Sequence, residues 1–127
     1  MAQVIEGLYY SEEHDYVKVE DGMAYIGISD YAQEHLGEIV YVELPEVGDE
    51  FAKGDVLYVI ESVKAAADVL SVIGGEVIEV NSALEDEPEL LNSDPYGNWI
   101  VKVKLEDEAQ LKDLLNASDY EKLIAEE

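Results

Sequence analysis

Seven lysines and no arginine are the only permanent cations in this 127-residue chain. Lys64 alone among them is flanked on both sides by small or apolar residues for several positions, in Glu61-Ser62-Val63-Lys64-Ala65-Ala66-Ala67-Asp68. A structural lysine usually has a carboxylate one helical turn away or an apolar surface to lie along. The run of small and apolar neighbours around Lys64 instead fits an amine held out for covalent chemistry. The plainer reading is a solvated turn lysine. The nearest acids, Glu61 and Asp68, serve solubility on the plain reading and recognition by a modifying enzyme on the functional one.

The other side chains capable of chemistry form no constellation. There is no cysteine, so thiolate or disulfide chemistry has to come from an attached group. No Gly-rich phosphate loop is present. His14 and His35 stand twenty-one positions apart and read as packing or surface residues rather than metal ligands. The carboxylates lack the spacing of a calcium loop. The formal charge is −24, with 31 acidic residues against 7 basic. That balance disfavours nucleic acid and anionic membranes and favours partners with basic faces. No apolar run approaches a membrane span. The first residues lack both a basic signal-peptide region and an Arg-rich transit character, so a cytoplasmic location is expected.

The elements that must position Lys64 are strands. Val56 to Ile60 leads into it and a second β-prone run leads out, which places the amine at the tip of a β-hairpin. Residues 1–7 carry no strong signal. Tyr16–Glu20 and Met23–Ile28 flank Asp21-Gly22, a hairpin turn. Ser29 or Asp30 caps a short helix through Leu36, with Gly37 ending it in the left-handed conformation. Strands are expected over 39–44, 76–81 and 99–105, and a loop with one helical turn over 84–95. Towards the C-terminus, Leu111, Leu114 and Leu115 share a helical face, and Ser118-Asp119-Tyr120-Glu121 reads as a capping box. Gly37-Glu38-Ile39-Val40-Tyr41-Val42 and Gly75-Glu76-Val77-Ile78-Glu79-Val80 repeat one pattern on either side of the hairpin. Two similar half-sheets packed face to face follow from that echo, unless it is coincidence between ordinary strands.

Several of these segments resemble the glycine cleavage H-protein family, in the right order, from about residue 8 to residue 124. Glu61 to Asp68 resembles its lipoylation hairpin. His14-Asp15-Tyr16-Val17 resembles its His-Glu-Trp-Val. Gly27 to Gln33 with Leu36-Gly37-Glu38 resembles its first helix, and Val42 to Gly48 its central turn. Gly75 to Asn81 and Pro88 to Gly97 resemble its second half. Asp15 replaces the usual Glu, Tyr16 the usual Trp, and Val72-Ile73-Gly74-Gly75 lacks the usual proline. Val63 and Ala65 replace the methionines that flank a biotinylated lysine, and Val63 also replaces the Asp of 2-oxoacid dehydrogenase lipoyl domains.

The resemblance implies a mainly β fold, a lipoyl-domain-like barrel-sandwich hybrid of two antiparallel sheets. It adds a short helix near residues 30–36 and C-terminal helices. One lipoyl-carrier domain over 1–127 is expected, with a core of about 8–105 and a helical segment of about 107–126. The implied cofactor is lipoic acid, bound covalently to Lys64, and the chain itself is a non-catalytic carrier. Glu61, Ser62, Val63, Ala65 and Asp68 would guide the modification. His14, Asp15, His35 and Asp68 would line a cleft that shelters the loaded arm. The implied partners are the pyridoxal-phosphate glycine decarboxylase (P protein), which gives the arm an aminomethyl group, and the tetrahydrofolate-dependent aminomethyltransferase (T protein). The dihydrolipoyl dehydrogenase (L protein) and the lipoate-attaching enzymes complete the set. An H-like carrier for lipoyl relay to other proteins, or for sulfur oxidation, is the alternative.

Overall fold

The computed structural model describes residues 3–126. Nine strands form two antiparallel sheets. The larger sheet has the order β1 (Tyr9–Tyr10), β2 (Asp15–Glu20), β3 (Met23–Ile28), β9 (Val101–Leu105), β8 (Gly75–Val80), β5 (Glu50–Phe51). The smaller has β4 (Ile39–Glu43), β6 (Val56–Ser62) and β7 (Ala66–Leu70). Their inner faces meet in one core: Ile26, Val77, Val101 and Val103 from the first and Ile39, Val42 and Ile60 from the second are all at most 2% exposed. Alternation along each strand sends every second side chain inward, which is what makes a two-sheet core from these sequences.

Asp21 and Gly22 both have positive φ, 50° and 78°, which is the requirement of a type I′ turn between β2 and β3. Helix α1 (Asp30–Leu36) is capped by Ser29, whose hydroxyl accepts from the Ala32 N–H at 3.2 Å. Gly37 ends it at φ 77°, ψ −154° rather than in the expected left-handed helical well. That region is open essentially only to glycine. The two copies of the Gly-Glu-apolar-apolar-x-Val pattern fall in different sheets, as β4 and β8, and both ladders shift register at the same point, around Val40 and Ile78. The sheets themselves are unequal, six strands against three, and short β1 and β5 extend only the one containing β8.

Three expectations need correction. The segment 84–95 holds two helical turns, α2 (Ala83–Asp86) and α3 (Leu90–Ser93), each driving one leucine, Leu84 or Leu91, into the core. The C-terminal leucines do not share a helical face. A 3-10 turn over Glu108–Asp113 buries Leu111, Leu114 is extended, and Leu115 exchanges two backbone hydrogen bonds with Tyr10 at 2.8 and 2.7 Å. The edge strand β1 offers unpaired backbone groups there, and pairing them outweighs local helix propensity. Helix α4 (Ala117–Glu126) begins before Ser118, and the Asn116 side chain accepts the Asp119 N–H at 2.8 Å. Asn is as good a cap as Ser, so the earlier residue takes the role. Residues 1 and 2 lie outside the described residues. Gln3 and Ile5 are held, by Asp30 and Tyr96 and by Tyr10 respectively. No helix among the described residues is long and apolar enough to cross a membrane.

Candidate functional site

Lys64 sits at the tip of the β6–β7 hairpin and is exposed. Ser62 builds the tip. Its N–H donates to the Ala65 carbonyl at 2.8 Å, and its hydroxyl oxygen accepts the N–H of Lys64 and of Ala65, each at 3.2 Å. Neither Val63 nor Lys64 has a positive φ, so this is not a primed turn. The serine side chain does the closing that a primed turn would otherwise do. The Val63 N–H donates to the Glu38 carbonyl at 3.0 Å and ties the tip to the start of β4. Val63, Ala65, Glu61 and Asp68 are all exposed.

The lysine stem passes over Gly37, where an added Cβ would stand 3.4 Å from the Lys64 Cε. The ammonium donates to the His35 carbonyl at 3.3 Å. Asn92 holds this corner rigid: its carbonyl accepts the Ile39 N–H at 2.9 Å, and its amide donates to the Gly37 carbonyl at 2.8 Å.

His35 also lines a cleft of about 300 Å³ between α1, the inner side of the hairpin and the turn before β2. The structure brings together all four residues expected there, His14, Asp15, His35 and Asp68. The remaining wall is largely apolar, with Ile28, Ala32, Leu36, Ile60 and Val69. The volume is at the lower end of what small-molecule sites use.

Asp15 is 3% exposed. Burial, before any other cause, raises its carboxyl to a pKa of about 7; the Glu13 charge adds to the rise, and the hydrogen bond with Ser11 opposes it. Ser11 donates to the carboxylate at 3.2 Å and accepts the Asp15 N–H at 3.0 Å. The buried Tyr58 hydroxyl completes no hydrogen bond of good geometry. Burial, and then the Asp15 charge, hold that phenol well above its usual pKa. His14 has φ +75°, a conformation that costs a non-glycine residue energy. It is held there by backbone hydrogen bonds to Ser11 at 3.1 Å and from Ser29 at 2.9 Å. Its Nδ1 lies 2.9 Å from the Tyr120 hydroxyl, which lies 2.7 Å from the Ser29 hydroxyl, and Tyr120 stacks on Tyr10 at 4.4 Å. Tyr31 stacks on His35 at 4.0 Å and packs against His14 at 4.6 Å.

Ser11, Tyr58, Asn92 and Tyr120 carry no sequence signal that would have pointed to the site. Gly37 was legible as a helix stop but not as the floor beneath the lysine stem. Tyr16 packs its ring on Gly27, where an added Cβ would come within 2.7 Å, and its hydroxyl donates to the Pro95 carbonyl at 3.0 Å. Among the described residues no group of three or more His, Cys, Asp or Glu side chains is arranged to hold a metal ion.

Comparison with known proteins agrees with this geometry. Residues 8–127 match the family described as Glycine cleavage H-protein. A glycine cleavage system H protein from Thermoanaerobacter pseudethanolicus is 58% identical over 125 residues, 98% of this chain and 99% of that one. A probable glycine cleavage system H protein from Thermococcus kodakarensis is 58% identical over 120 residues, 93% of this chain and 90% of that one. The crystal structure of a glycine cleavage system H protein from Mycobacterium marinum is similar in fold, with a TM-score of 0.87 and 31% sequence identity. That match covers 96% of this chain and 99% of the other.

Proposed function

The chain belongs to the glycine cleavage H-protein family, and we propose that Lys64 is the lysine on which it carries that family's covalent lipoic acid. It is a non-catalytic lipoyl carrier working with the other components of the glycine cleavage system. One observation carries the assignment of Lys64. The amine stands at an exposed tip yet reaches the carbonyl of His35, a wall residue of the cleft, so an arm rooted there begins at the cleft.

The residues fit the group. Gly37 leaves room beside the stem, the apolar walls Ile28, Ala32, Leu36, Ile60 and Val69 suit a hydrocarbon chain, and Asp15, His14, His35 and Asp68 suit a polar end. When bound, lipoyl supplies a cyclic disulfide, the redox and group-accepting chemistry that a cysteine-free chain lacks. The turn of Ser62 to Ala65 fixes where the arm is rooted, which raises its effective concentration at a partner's active site. Asp15 favours a cationic amine in the cleft over a neutral group. The small side chains Ala65 and Ala66 let an active site close over the tip, and Glu61, Ser62, Val63, Ala65 and Asp68 form what an attaching enzyme meets.

On this reading the partners are individually the P, T and L proteins and the lipoate-attaching enzymes, and the chain acts in the cytoplasm. The chain is one domain, with a core of about 8–105 and the segment of about 107–126 closing it. Burial of Leu111 in the common core and the pairing of Leu115 with Tyr10 support that.

The test is expression with lipoate and a lipoate–protein ligase, followed by intact mass and peptide mapping. The whole mass gain is expected on Lys64 and none in Lys64→Arg. Lipoyl on Lys53 or Lys102, or a biotin adduct, overturns the assignment.

A further inference from the structure

The exposed apolar side chains are concentrated in one place. Among the described residues six large hydrophobics are between 40% and 65% exposed, and five of them, Val40, Tyr41, Val56, Val63 and Leu70, lie on the three-stranded sheet or its tip. The strand register puts Tyr41, Val56 and Leu70 on a common outer face. Tyr41 pairs with Glu61 and Glu61 with Ala66; Glu43 pairs with Val59 and Val59 with Asp68; Val56 pairs with Leu70. Side chains paired across antiparallel strands project to the same side. Val42 and Ile60, between these rows, point into the core. Val40 stands out at the register shift of β4. The result is a face whose apolar side chains run from Tyr41, level with Glu61 near the tip, down the hairpin to Val56 and Leu70, roughly 17 Å at strand spacing. Glu43, Glu61 and Asp68 are set into it.

We propose that this outer face of β4, β6 and β7 is the docking surface for the enzyme that acylates Lys64. The proposal rests on the reading of Lys64 as the lipoylated residue and extends the recognition site from the tip to the sheet. The reach of the substrate group decides which partner it is. Unmodified Lys64 offers only a four-carbon stem, so the acylating enzyme must bring its active site onto the tip and its body over the adjoining strands. Enzymes that act at the end of a long arm are under no such constraint. The reaction served is acyl transfer from an ATP-activated lipoate. The Lys64 nitrogen forms a bond to the acyl carbon, the adenylate leaves with its electron pair, and the nitrogen gives up a proton.

The face also states what its partner looks like. An apolar patch has to cover Tyr41, Val56 and Leu70, and Lys or Arg side chains have to meet Glu43, Glu61 and Asp68. A second copy of this chain is a poor occupant. Two such faces would set carboxylate against carboxylate, and the chain has seven cations to offset 31 acids.

Leu70→Lys and Val56→Lys place a like charge in front of the basic rim at the end of the stripe farthest from the tip. Glu79→Gln, exposed on the other sheet, makes the same one-unit change in net charge and serves as the control. The measurement is kcat/KM for lipoylation of the unmodified chain by a lipoate–protein ligase with ATP and lipoate, with circular dichroism confirming the fold. Each lysine variant is expected to lose about tenfold or more, mainly through KM, and Leu70→Ser less than Leu70→Lys. Glu79→Gln is expected to stay within about twofold. Wild-type kinetics for Leu70→Lys with lipoyl still on Lys64 overturns the docking surface alone, whereas lipoyl on another lysine of the wild-type chain overturns the reading beneath it. A wild-type dimer that Leu70→Lys dissociates would make the face a self-association interface and also overturn the proposal.

Discussion

Asp15 is a carboxyl removed from water and given one neutral hydroxyl partner, Ser11, in exchange. Its folded pKa of about 7 lies above the 3.8 of an exposed aspartate, with burial the main cause. Between those values the folded chain holds a proton that the unfolded chain has released. The resulting stabilisation is therefore complete below about pH 4 and is lost as pH rises through about 7, a change on the order of 4 kcal/mol. Asp15→Asn keeps an acceptor for Ser11 and does not titrate. Urea denaturation at stepped pH should show wild type losing stability relative to Asp15→Asn over that interval, and a flat difference would mean that Asp15 is solvated. The same titration bears on the cargo. A cation in the cleft gives the ionised carboxylate the partner it lacks, and such a hydrogen-bonded charge is worth about 1.5–3 kcal/mol. Asp15→Asn should thus still accept lipoyl at Lys64 but release an amine cargo about ten- to a hundredfold faster, measured as its half-life on the isolated lipoylated chain. If the variant holds the cargo as long as wild type, packing alone protects it.

Elements set by neighbouring residues were legible in the sequence. Asp21-Gly22 has the chemistry of a type I′ turn, Ser29 that of an N-cap, and the β-prone runs around Lys64 that of a hairpin. Where two local signals competed, the sequence was ambiguous. Asn116 and Ser118 are both good caps, and choosing between them required knowing that Leu115 is pulled into pairing with Tyr10, which fixes where α4 can start. Asn116→Ala should cost about 1 kcal/mol in thermal or chemical denaturation, while Ser118→Ala should change little. Equal losses would return the cap to Ser118. The cleft was legible only through resemblance, because its walls come from three segments far apart in the chain. The Tyr120 hydroxyl reaches His14 across 106 positions, and Asn92 reaches Gly37 across 55. No periodicity or local propensity encodes such contacts. Tyr58, central in the smaller sheet, read as an ordinary strand residue, and its pairing with the Asp15 charge emerged only from the packing of one sheet on the other.

At the scale of the whole molecule the dominant quantity is charge, −24 on 127 residues. Between four and five carboxylates accompany each cation on average in composition, and the two ion pairs seen between side chains of the described residues, Lys18 with Glu20 and Lys53 with Asp113, are both exposed and worth little. The charge is therefore not neutralised internally and projects as a negative field. Such a field acts at a distance, before any contact forms, so its main effect is on the rate of encounter with a basic partner rather than on the affinity of the docked state. A carrier that visits several enzymes in turn benefits from that division, because fast encounter need not bring slow release. Salt separates the two effects. The screening length falls from about 30 Å at 0.01 M to about 8 Å at 0.15 M ionic strength. Over that range the association rate with the P or T protein, followed by stopped flow, should fall by about tenfold or more, with a much smaller change in the dissociation rate. An association rate that does not respond to salt would mean that the charge serves solubility and that partners find the tip by diffusion alone.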